Sequence, residues 1–249
     1  MDERTRRDVE TFREWVNETR PGGMVFFGGA GVSTESGIPD FRSPDGLYAQ
    51  KYPHPPEQMI SRSFFDAHPS EFFDFYCDRM LALDAEPNRA HRKLAELEST
   101  GTLSAVITQN IDGLHQKAGS QRVLELHGSI LRNFCQECGA AHSVEDLLAL
   151  RAQAADGVPR CPTCGGIVKP DVVLYEEPLD ERTLRASVEA IARADLMVVA
   201  GTSLSVYPAA GLLDYFQGDH LVIVNRTPTP RDRQANLCLA ANVGDVFDF

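Results

Sequence analysis

The chain has 249 residues, of which 43% are hydrophobic and 24% are charged, a globular profile that suits one domain or one large domain with a small insert. The formal net charge of −12 disfavours a nucleic-acid partner, because phosphate binding needs a basic surface. The N-terminal residues are charged with no apolar signal core behind them, and the apolar runs are too short to span a bilayer, so we expect a soluble, cytoplasmic protein with no membrane partner.

Buried strand patterns alternate with helical patterns along the chain. Strands are predicted at residues 23–28, 103–108, 123–126, 195–200 and 220–225, and helices at 89–100, 180–194 and 208–217. A further helix is predicted after the first strand, where Ser33, Thr34 and Ser36 can act as caps. This alternation predicts an α/β fold with a Rossmann-like parallel sheet covered by helices on both faces.

The turn after the first predicted strand carries Gly29, Ala30 and Gly31, which match part of a dinucleotide-binding fingerprint. Thr34 stands where the third glycine of that fingerprint is expected. Small residues here let the backbone approach a pyrophosphate at a helix N-terminus. A tight turn that binds no ligand is the alternative, and the turn alone does not decide between the two.

Four of the six cysteines form two CxxC pairs, Cys135 with Cys138 and Cys161 with Cys164. Two such pairs present four thiolates from two tight knuckles, which is the ligand set of a tetrahedral Zn²⁺. Because four thiolates complete the coordination sphere, we expect one structural zinc per chain. Disulfides or a redox-active CxxC are the alternatives, and the two matched pairs in a cytoplasmic protein disfavour them.

Two segments interrupt the alternation of strands and helices. Residues 38–75 are rich in proline and aromatic residues and are expected to form a loop and a helical insertion. Residues 130–169 contain the cysteine pairs and are expected to form a small zinc-binding module. The remaining residues, 1–37, 76–129 and 170–249, would form the Rossmann-like domain.

The ends of the later predicted strands carry small or hydrogen-bonding residues: Gln109, Asn110 and Asp112, then His127, then Gly201, Thr202 and Ser203, and finally Asn225. The carboxyl ends of parallel strands share one edge of the sheet, where open α/β folds bind their ligands. His127 is the best candidate for a general base, because histidine titrates near neutral pH and the preceding strand fixes its orientation. His115 is a weaker candidate.

At this point the motifs resemble those of the sirtuin family, and bacterial sirtuins most of all. They are, in order, GAGVS at 29–33, GIPDFR at 37–42, TQNID at 108–112, LHG at 126–128, the two CxxC pairs, and GTSL at 201–204. The resemblance implies a Rossmann-type domain with a zinc ribbon, and a cleft in which NAD meets an acyl-lysine protein substrate. It also implies deacetylase or deacylase activity that consumes NAD, releasing nicotinamide and O-acyl-ADP-ribose.

The resemblance further implies roles for individual residues. His127 would deprotonate a ribose hydroxyl, and Asn110 would act beside it in the catalytic site. The cofactor-binding set is Gly29, Ala30, Gly31, Thr34, Phe41, Arg42, Gln109, Asn110, Ile111, Asp112, Gly201, Thr202, Ser203, Asn225, Asp245 and Val246. The substrate-side set is Val173, Leu174, Glu176 and Glu177.

The chain departs from the sirtuin pattern at two places that concern the substrate. Leu174-Tyr175-Glu176-Glu177 stands where sirtuins commonly carry an aromatic pair followed by Gly-Glu, and the added negative charge could favour basic residues beside the target lysine. Sirtuins that remove succinyl or malonyl groups use a Tyr-x-x-Arg pair, and Tyr48-Ala49-Gln50-Lys51 offers lysine instead. We therefore expect acetyl or another uncharged acyl group.

Three other functions use the same features. A mono-ADP-ribosyltransferase would use the same NAD pocket but leave ADP-ribose on its target. A non-catalytic module that binds NAD or ADP-ribose would need no base such as His127. A zinc-ribbon nucleic-acid binder is disfavoured by the acidic charge balance. The sequence indicates no oligomeric state.

Overall fold

The computed structural model describes residues 3–43 and 46–249. Its helices are α1 (Glu3–Glu18), α2 (Pro56–Met59), α3 (Arg62–Ala67), α4 (Pro69–Arg79), α5 (Arg89–Ser99), α6 (Leu114–Ala118), α7 (Val144–Gln153), α8 (Glu181–Ala192) and α9 (Val243–Val246). Its strands are β1 (Met24–Gly28), β2 (Leu103–Thr108), β3 (Val123–Glu125), β4 (Gly128–Cys135), β5 (Ala141–His142), β6 (Val168–Val172), β7 (Leu196–Ala200), β8 (His220–Val224) and β9 (Leu237–Leu239).

The larger sheet of the described chain has the strand order β3-β2-β1-β7-β8-β9, and all of its neighbouring strands are parallel. Helices α1, α5 and α9 pack on one face around Phe12, Phe26 and Leu94. Helix α8 packs on the other face, together with a 3-10 helix at Ala209–Tyr215. The predicted Rossmann-like α/β fold is confirmed. Because the strand order reverses between β1 and β7, a ligand crevice is expected at their carboxyl ends.

Two helix predictions were wrong in type. The segment after β1 forms two 3-10 turns, Ala30–Val32 and Thr34–Ser36, in place of an α-helix. Gly37 adopts a left-handed φ of 83° directly after them and ends the helical conformation. The helix predicted at 208–217 is also a 3-10 helix, at Ala209–Tyr215.

The smaller sheet has the order β5-β4-β6 and is antiparallel. Its ladder runs from Gly128 paired with Val172 to Cys135 paired with Val168, and so extends beyond the 130–169 limits expected for the zinc-binding module. Phe64, Phe72 and Phe73 of the helical insertion pack in one apolar cluster with residues of this sheet. The insertion and the smaller sheet therefore form a second layer beside the larger sheet.

No helix within residues 3–43 and 46–249 combines the length and apolar character needed to cross a membrane.

Candidate active site

A cavity of about 580 Å³ lies where the carboxyl ends of β1, β2, β7 and β8 meet the second layer. Its wall is formed by the strand-end segments 29–31, 33–34, 109–112, 201–203 and 225–227, and by residues 172–177. Its volume falls in the range of small-molecule sites, and its hydrogen-bonding groups converge from four strand ends, as a dinucleotide requires. The residues present therefore fit NAD.

The glycines after β1 and β7 allow these two loops to touch. The backbone N–H of Gly31 donates to the carbonyl oxygen of Gly201 over 2.8 Å. A Cβ atom on Gly31 would lie 2.7 Å from the Cα atom of Gly201, and one on Gly29 would lie 2.8 Å from the Cβ atom of Thr202. Gly201 itself has a left-handed φ of 60°. Close packing of the loops thus explains these glycines, whether or not a pyrophosphate also approaches them.

Ser33 joins Asn110 and Asp112, two residues of the predicted cofactor-binding set. Its hydroxyl donates to Asp112 Oδ2 over 2.6 Å and accepts from Asn110 Nδ2 over 3.0 Å. Ser33 is 1% exposed and Asn110 is 9% exposed, so the bond between these two residues is shielded from water. Asp112 uses its other oxygen to accept from the backbone N–H of Leu114. The amide and the carboxylate are therefore held in fixed positions at the end of β2.

His127 has a defined tautomer in this arrangement. Its Nδ1 atom lies 2.9 Å from the carbonyl oxygen of Gln109, so Nδ1 carries the proton and donates it. The Nε2 atom is then left as the basic nitrogen. Burial lowers the pKa of His127, an effect that the hydrogen bond to Gln109 opposes. The ring is consequently neutral at neutral pH, the state that a general base needs.

The other predicted cofactor residues lie mostly in the cavity wall. Gln109 Nε2 donates to Thr202 Oγ1 over 3.0 Å, and Asn225 Nδ2 donates to the carbonyl oxygen of Thr227 over 2.8 Å. The guanidinium carbon of Arg42 lies 5.4 Å from the centre of the Tyr48 ring. The remaining wall residues of the predicted set are Ala30, Thr34, Phe41, Ile111 and Ser203.

Asp245 and Val246 lie behind the cavity wall. Asp245 forms an ion pair with Arg89 over 2.8 Å, and Val246 is fully buried in the core. Asn242 and Val243 form the wall at this position instead. The cofactor contacts of Asp245 and Val246 stay a prediction.

All four predicted substrate-side residues line the cavity, but Glu177 is also an internal anchor. Its carboxylate accepts from Lys169 Nζ over 3.1 Å, from Arg62 Nη1 over 3.2 Å, and from the backbone N–H of Leu174 over 2.8 Å. Burial lowers the pKa of Lys169, and the neighbouring Glu177 opposes that shift. Glu177 therefore fixes the course of residues 172–177 and does not offer a free charge.

The sequence analysis missed Arg79, a cation in the cavity wall. Lys51, which the sequence analysis weighed, is exposed and lies outside the wall. The Tyr-x-x-Arg spacing also occurs at the end of α4, as Tyr76-Cys77-Asp78-Arg79, and there the arginine reaches the cavity. Tyr76 is 1% exposed, and its hydroxyl has no hydrogen-bond partner in the part of the chain that the structure describes. A search of the whole chain for that spacing would have found the pair.

The four paired cysteines come together at one end of the smaller sheet. Their Sγ atoms lie within 4.8 Å of one another, with 3.4 Å between Cys135 and Cys164 and 3.8 Å between Cys138 and Cys161. Four thiolates at about 2.3 Å from a tetrahedral zinc lie roughly 3.8 Å apart, so the cluster fits that ion. The backbone N–H of Thr163 is the main cause that lowers the pKa of Cys161 to about 6, which favours the thiolate. The described cavity wall contains no cysteine.

Comparisons with known proteins agree with this geometry. The model of the Sir2 family matches residues 29–208. An NAD-dependent protein deacetylase of Clostridium acetobutylicum is 52% identical over 227 residues, which cover 90% of this chain and 91% of that protein. One of Cutibacterium acnes is 52% identical over 240 residues, with 96% and 95% covered. The chain belongs to the Sir2 family, the sirtuins.

Solved structures of Sir2 proteins have the same fold. A Sir2 bound to a p53 peptide and NAD⁺ is 40% identical with a TM-score of 0.85, covering 96% of this chain and 95% of that one. A Sir2 histidine variant with a deacetylated p53 peptide and 3′-O-acetyl ADP-ribose has a TM-score of 0.89 at the same identity and coverage.

Proposed function

We propose that this protein is an NAD-dependent protein-lysine deacetylase or deacylase, which moves an acyl group from lysine to ADP-ribose and releases nicotinamide. The observation that carries the proposal is the state of His127, a half-buried neutral imidazole whose Nδ1–H donates to the carbonyl oxygen of Gln109. The Ser33, Asn110 and Asp112 cluster belongs to the same cavity wall. A base and a polar anchor in one cavity suit acyl transfer better than simple cofactor binding.

The residues of the cavity would divide the work. NAD supplies the ribose carbon from which nicotinamide departs. Asn110 and Asp112 would hold the carboxamide end, and Gln109 and Thr202 would orient the adjoining ribose. Holding the acyl oxygen beside that carbon in a closed site gains on the order of 7–11 kcal/mol at most from proximity. His127 Nε2 would accept the proton of a ribose hydroxyl, and general-base help of this kind contributes roughly 10²- to 10⁴-fold.

The zinc would be held by Cys135, Cys138, Cys161 and Cys164 and would be structural. Its four thiolate ligands leave no coordination position for water or substrate. It stabilises the end of the smaller sheet and takes no part in proton or acyl transfer. We assign residues 130–169 to the zinc-binding module and residues 38–75 to the helical insertion. Residues 1–37, 76–129 and 170–249 are assigned to the Rossmann-like domain.

Arg79 widens the expected acyl range. The preference for an uncharged acyl group was inferred from Lys51, which lies outside the cavity wall. Arg79 lies in that wall with Met80, Leu47 and Ile60, so an acyl chain could run along apolar side chains to a guanidinium group. A guanidinium favours a terminal carboxylate, as in succinyl-lysine. We therefore expect both acetyl-lysine and acidic acyl-lysines to be accepted.

Transfer of ADP-ribose to a protein is the second function that this cavity could support. Both reactions begin with the loss of nicotinamide, and they differ in the group that the target finally carries. The position of His127 favours deacylation, because a base for the ribose hydroxyl is needed only when the acyl group migrates.

The test follows the mass of an acetyl-lysine peptide incubated with the protein, with and without NAD. We expect the acetyl mass to be lost only when NAD is present, and to be retained with His127→Ala. His54→Ala, a histidine of the insertion outside the cavity wall, is the matched control and should behave like the wild type. An unchanged peptide with acetyl and succinyl groups alike, or a gain of ADP-ribose mass, would overturn the proposal.

A further inference from the structure

Glu176 has a backbone conformation that its side chain disfavours. Its φ is 77°, and only one other described residue apart from glycine, Leu204, has a positive φ. A side chain with a Cβ atom is strained in this left-handed region, and such strain persists only where surrounding contacts hold it.

The contacts that hold Glu176 come from a single residue of α3. Glu176 Oε2 accepts from the backbone N–H of Ser63 over 2.8 Å, and Oε1 accepts from the Ser63 hydroxyl over 3.0 Å. Both carboxylate oxygens are therefore engaged, and hydrogen bonds to a charged acceptor are stronger than those between neutral groups. These two bonds offset the backbone strain.

The same region is joined through the backbone as well. The N–H of Tyr175 donates to the carbonyl oxygen of Ile60 over 3.0 Å, and the N–H of Arg62 donates to the carbonyl oxygen of Tyr175 over 2.9 Å. The Glu176 side chain continues this ladder by one residue. We call residues 172–177 the substrate loop. All of them line the cavity, so a shift of the loop relative to α3 would change the cavity wall directly.

We propose that Glu176 is a positioning residue that clamps the substrate loop to α3 and so sets the geometry of the acyl-peptide end of the cavity. The proposal rests on the proposed deacylase function. It assigns Glu176 a geometric role in place of the electrostatic one expected from the sequence, because both oxygens of the carboxylate already have donors within the protein.

The test compares Glu176→Ala and Glu176→Gly with the wild type. Both variants lose the two bonds to Ser63, but only glycine also relieves the backbone strain. We expect the peptide KM to rise roughly tenfold in both, with kcat and the KM for NAD within about twofold of wild type. Amide hydrogen exchange in residues 172–177 should become faster in both. Glu189→Ala, on the outer helix α8 and outside the cavity wall, is the control and should change none of these values.

Two readouts keep the outcomes separate. Thermal melting checks that each variant is folded, and glycine should restore stability that alanine does not. Wild-type protection of the substrate loop in both variants would overturn the clamp, as would an unchanged peptide KM with a reduced kcat. If the wild type removes no acyl group, the proposed function fails, while the exchange measurement still decides whether Glu176 holds the loop.

Discussion

The Nδ1 atom of His127 lies 2.9 Å from the carbonyl oxygen of Gln109, and this contact places the proton of the neutral ring on Nδ1 and leaves Nε2 unprotonated. The partner is a backbone atom just beyond β2, so the tautomer is fixed by the sheet and not by another side chain. A histidine oriented in this way keeps its basic nitrogen available without a carboxylate partner.

The acid limb of the pH profile should reflect this environment. Burial lowers the pKa of His127, so its neutral form persists to lower pH than that of a free histidine. We expect kcat/KM for the acylated peptide to fall on the acid side with an apparent pKa below the ordinary value of about 6.5. An acid limb above 6.5 in a pH–rate measurement would contradict this account of the ring.

Ser33→Ala should lower kcat/KM by more than the loss of a single hydroxyl group suggests. The change removes the hydroxyl that Asn110 and Asp112 share and leaves the buried Asn110 amide and the half-buried Asp112 carboxylate each without this partner. Each such loss costs about 1–3 kcal/mol, which predicts a fall in kcat/KM of roughly 10- to 100-fold. Ser36→Ala, in the same turn, is the matched control, because the Ser36 hydroxyl has no hydrogen-bond partner in the described chain. Equal activities of Ser33→Ala and Ser36→Ala would show that the Ser33 hydroxyl does not contribute to the activity of the site.

His91 and His115 should make the protein sensitive to acid. Their rings lie 4.7 Å apart and are fully buried, with Asp112 and Arg92 as the charged groups that act on His91. Burial lowers the pKa of His91 to about 4 and that of His115 well below its ordinary value. Histidines that are neutral when folded but can be protonated when unfolded give stability that is complete above pH 6.5 and is lost below it.

The free energy of unfolding should therefore fall by up to about 1.4 kcal/mol per pH unit for each of these histidines between pH 6.5 and 4. Neither ring nitrogen of His115 has a hydrogen-bond partner among the residues that the structure describes, so His115→Phe removes one titrating group at little cost in bonding. When the free energy of unfolding is measured by denaturant titration at several pH values in this range, its slope against pH should be shallower for His115→Phe than for the wild type. The surface variant His54→Phe is the control, and an unchanged slope in His115→Phe would contradict the prediction.

Arg79→Met should separate the acyl groups. The variant removes the guanidinium but keeps an apolar side chain of similar length, so activity on acetyl-lysine should change by less than about threefold. Activity on succinyl-lysine should fall roughly tenfold or more, as expected when a charge-assisted hydrogen bond is lost. Lys51→Met is the matched control, since Lys51 is exposed and lies outside the cavity wall. Parallel losses on both peptides would show that Arg79 does not select the acyl group.

The parts of the fold that follow from local patterns were predictable. The strands β1, β2, β7 and β8 are almost continuous buried runs, and the zinc ligands are set by a short spacing that needs no other element. Gly139 and Gly165, which directly follow the two CxxC pairs, adopt the positive φ that a tight turn around the metal ligands requires. Each of these features depends on residues that are close together in the chain.

The parts that depend on distant contacts were not predictable. Ser33 was taken as a helix cap, because its partners Asn110 and Asp112 lie 77 and 79 residues away. The turn after β1 is 3-10 and not α-helical, and the N–H of Gly31 bonds to Gly201, a residue 170 positions away that nothing in the local sequence indicates. Glu176 was taken as a free charge because nothing in the sequence indicates that Ser63 lies beside it.

The path of the chain around the smaller sheet has one more consequence. The chain enters the smaller sheet directly after His127 and leaves it at Val173, and the N–H of Val173 donates to the carbonyl oxygen of His127 over 3.0 Å. Residues 128–172 are thus a closed excursion whose two ends lie side by side at His127. Because that hydrogen bond joins the two ends, the position of the smaller sheet is tied through the backbone to the residue proposed as the general base.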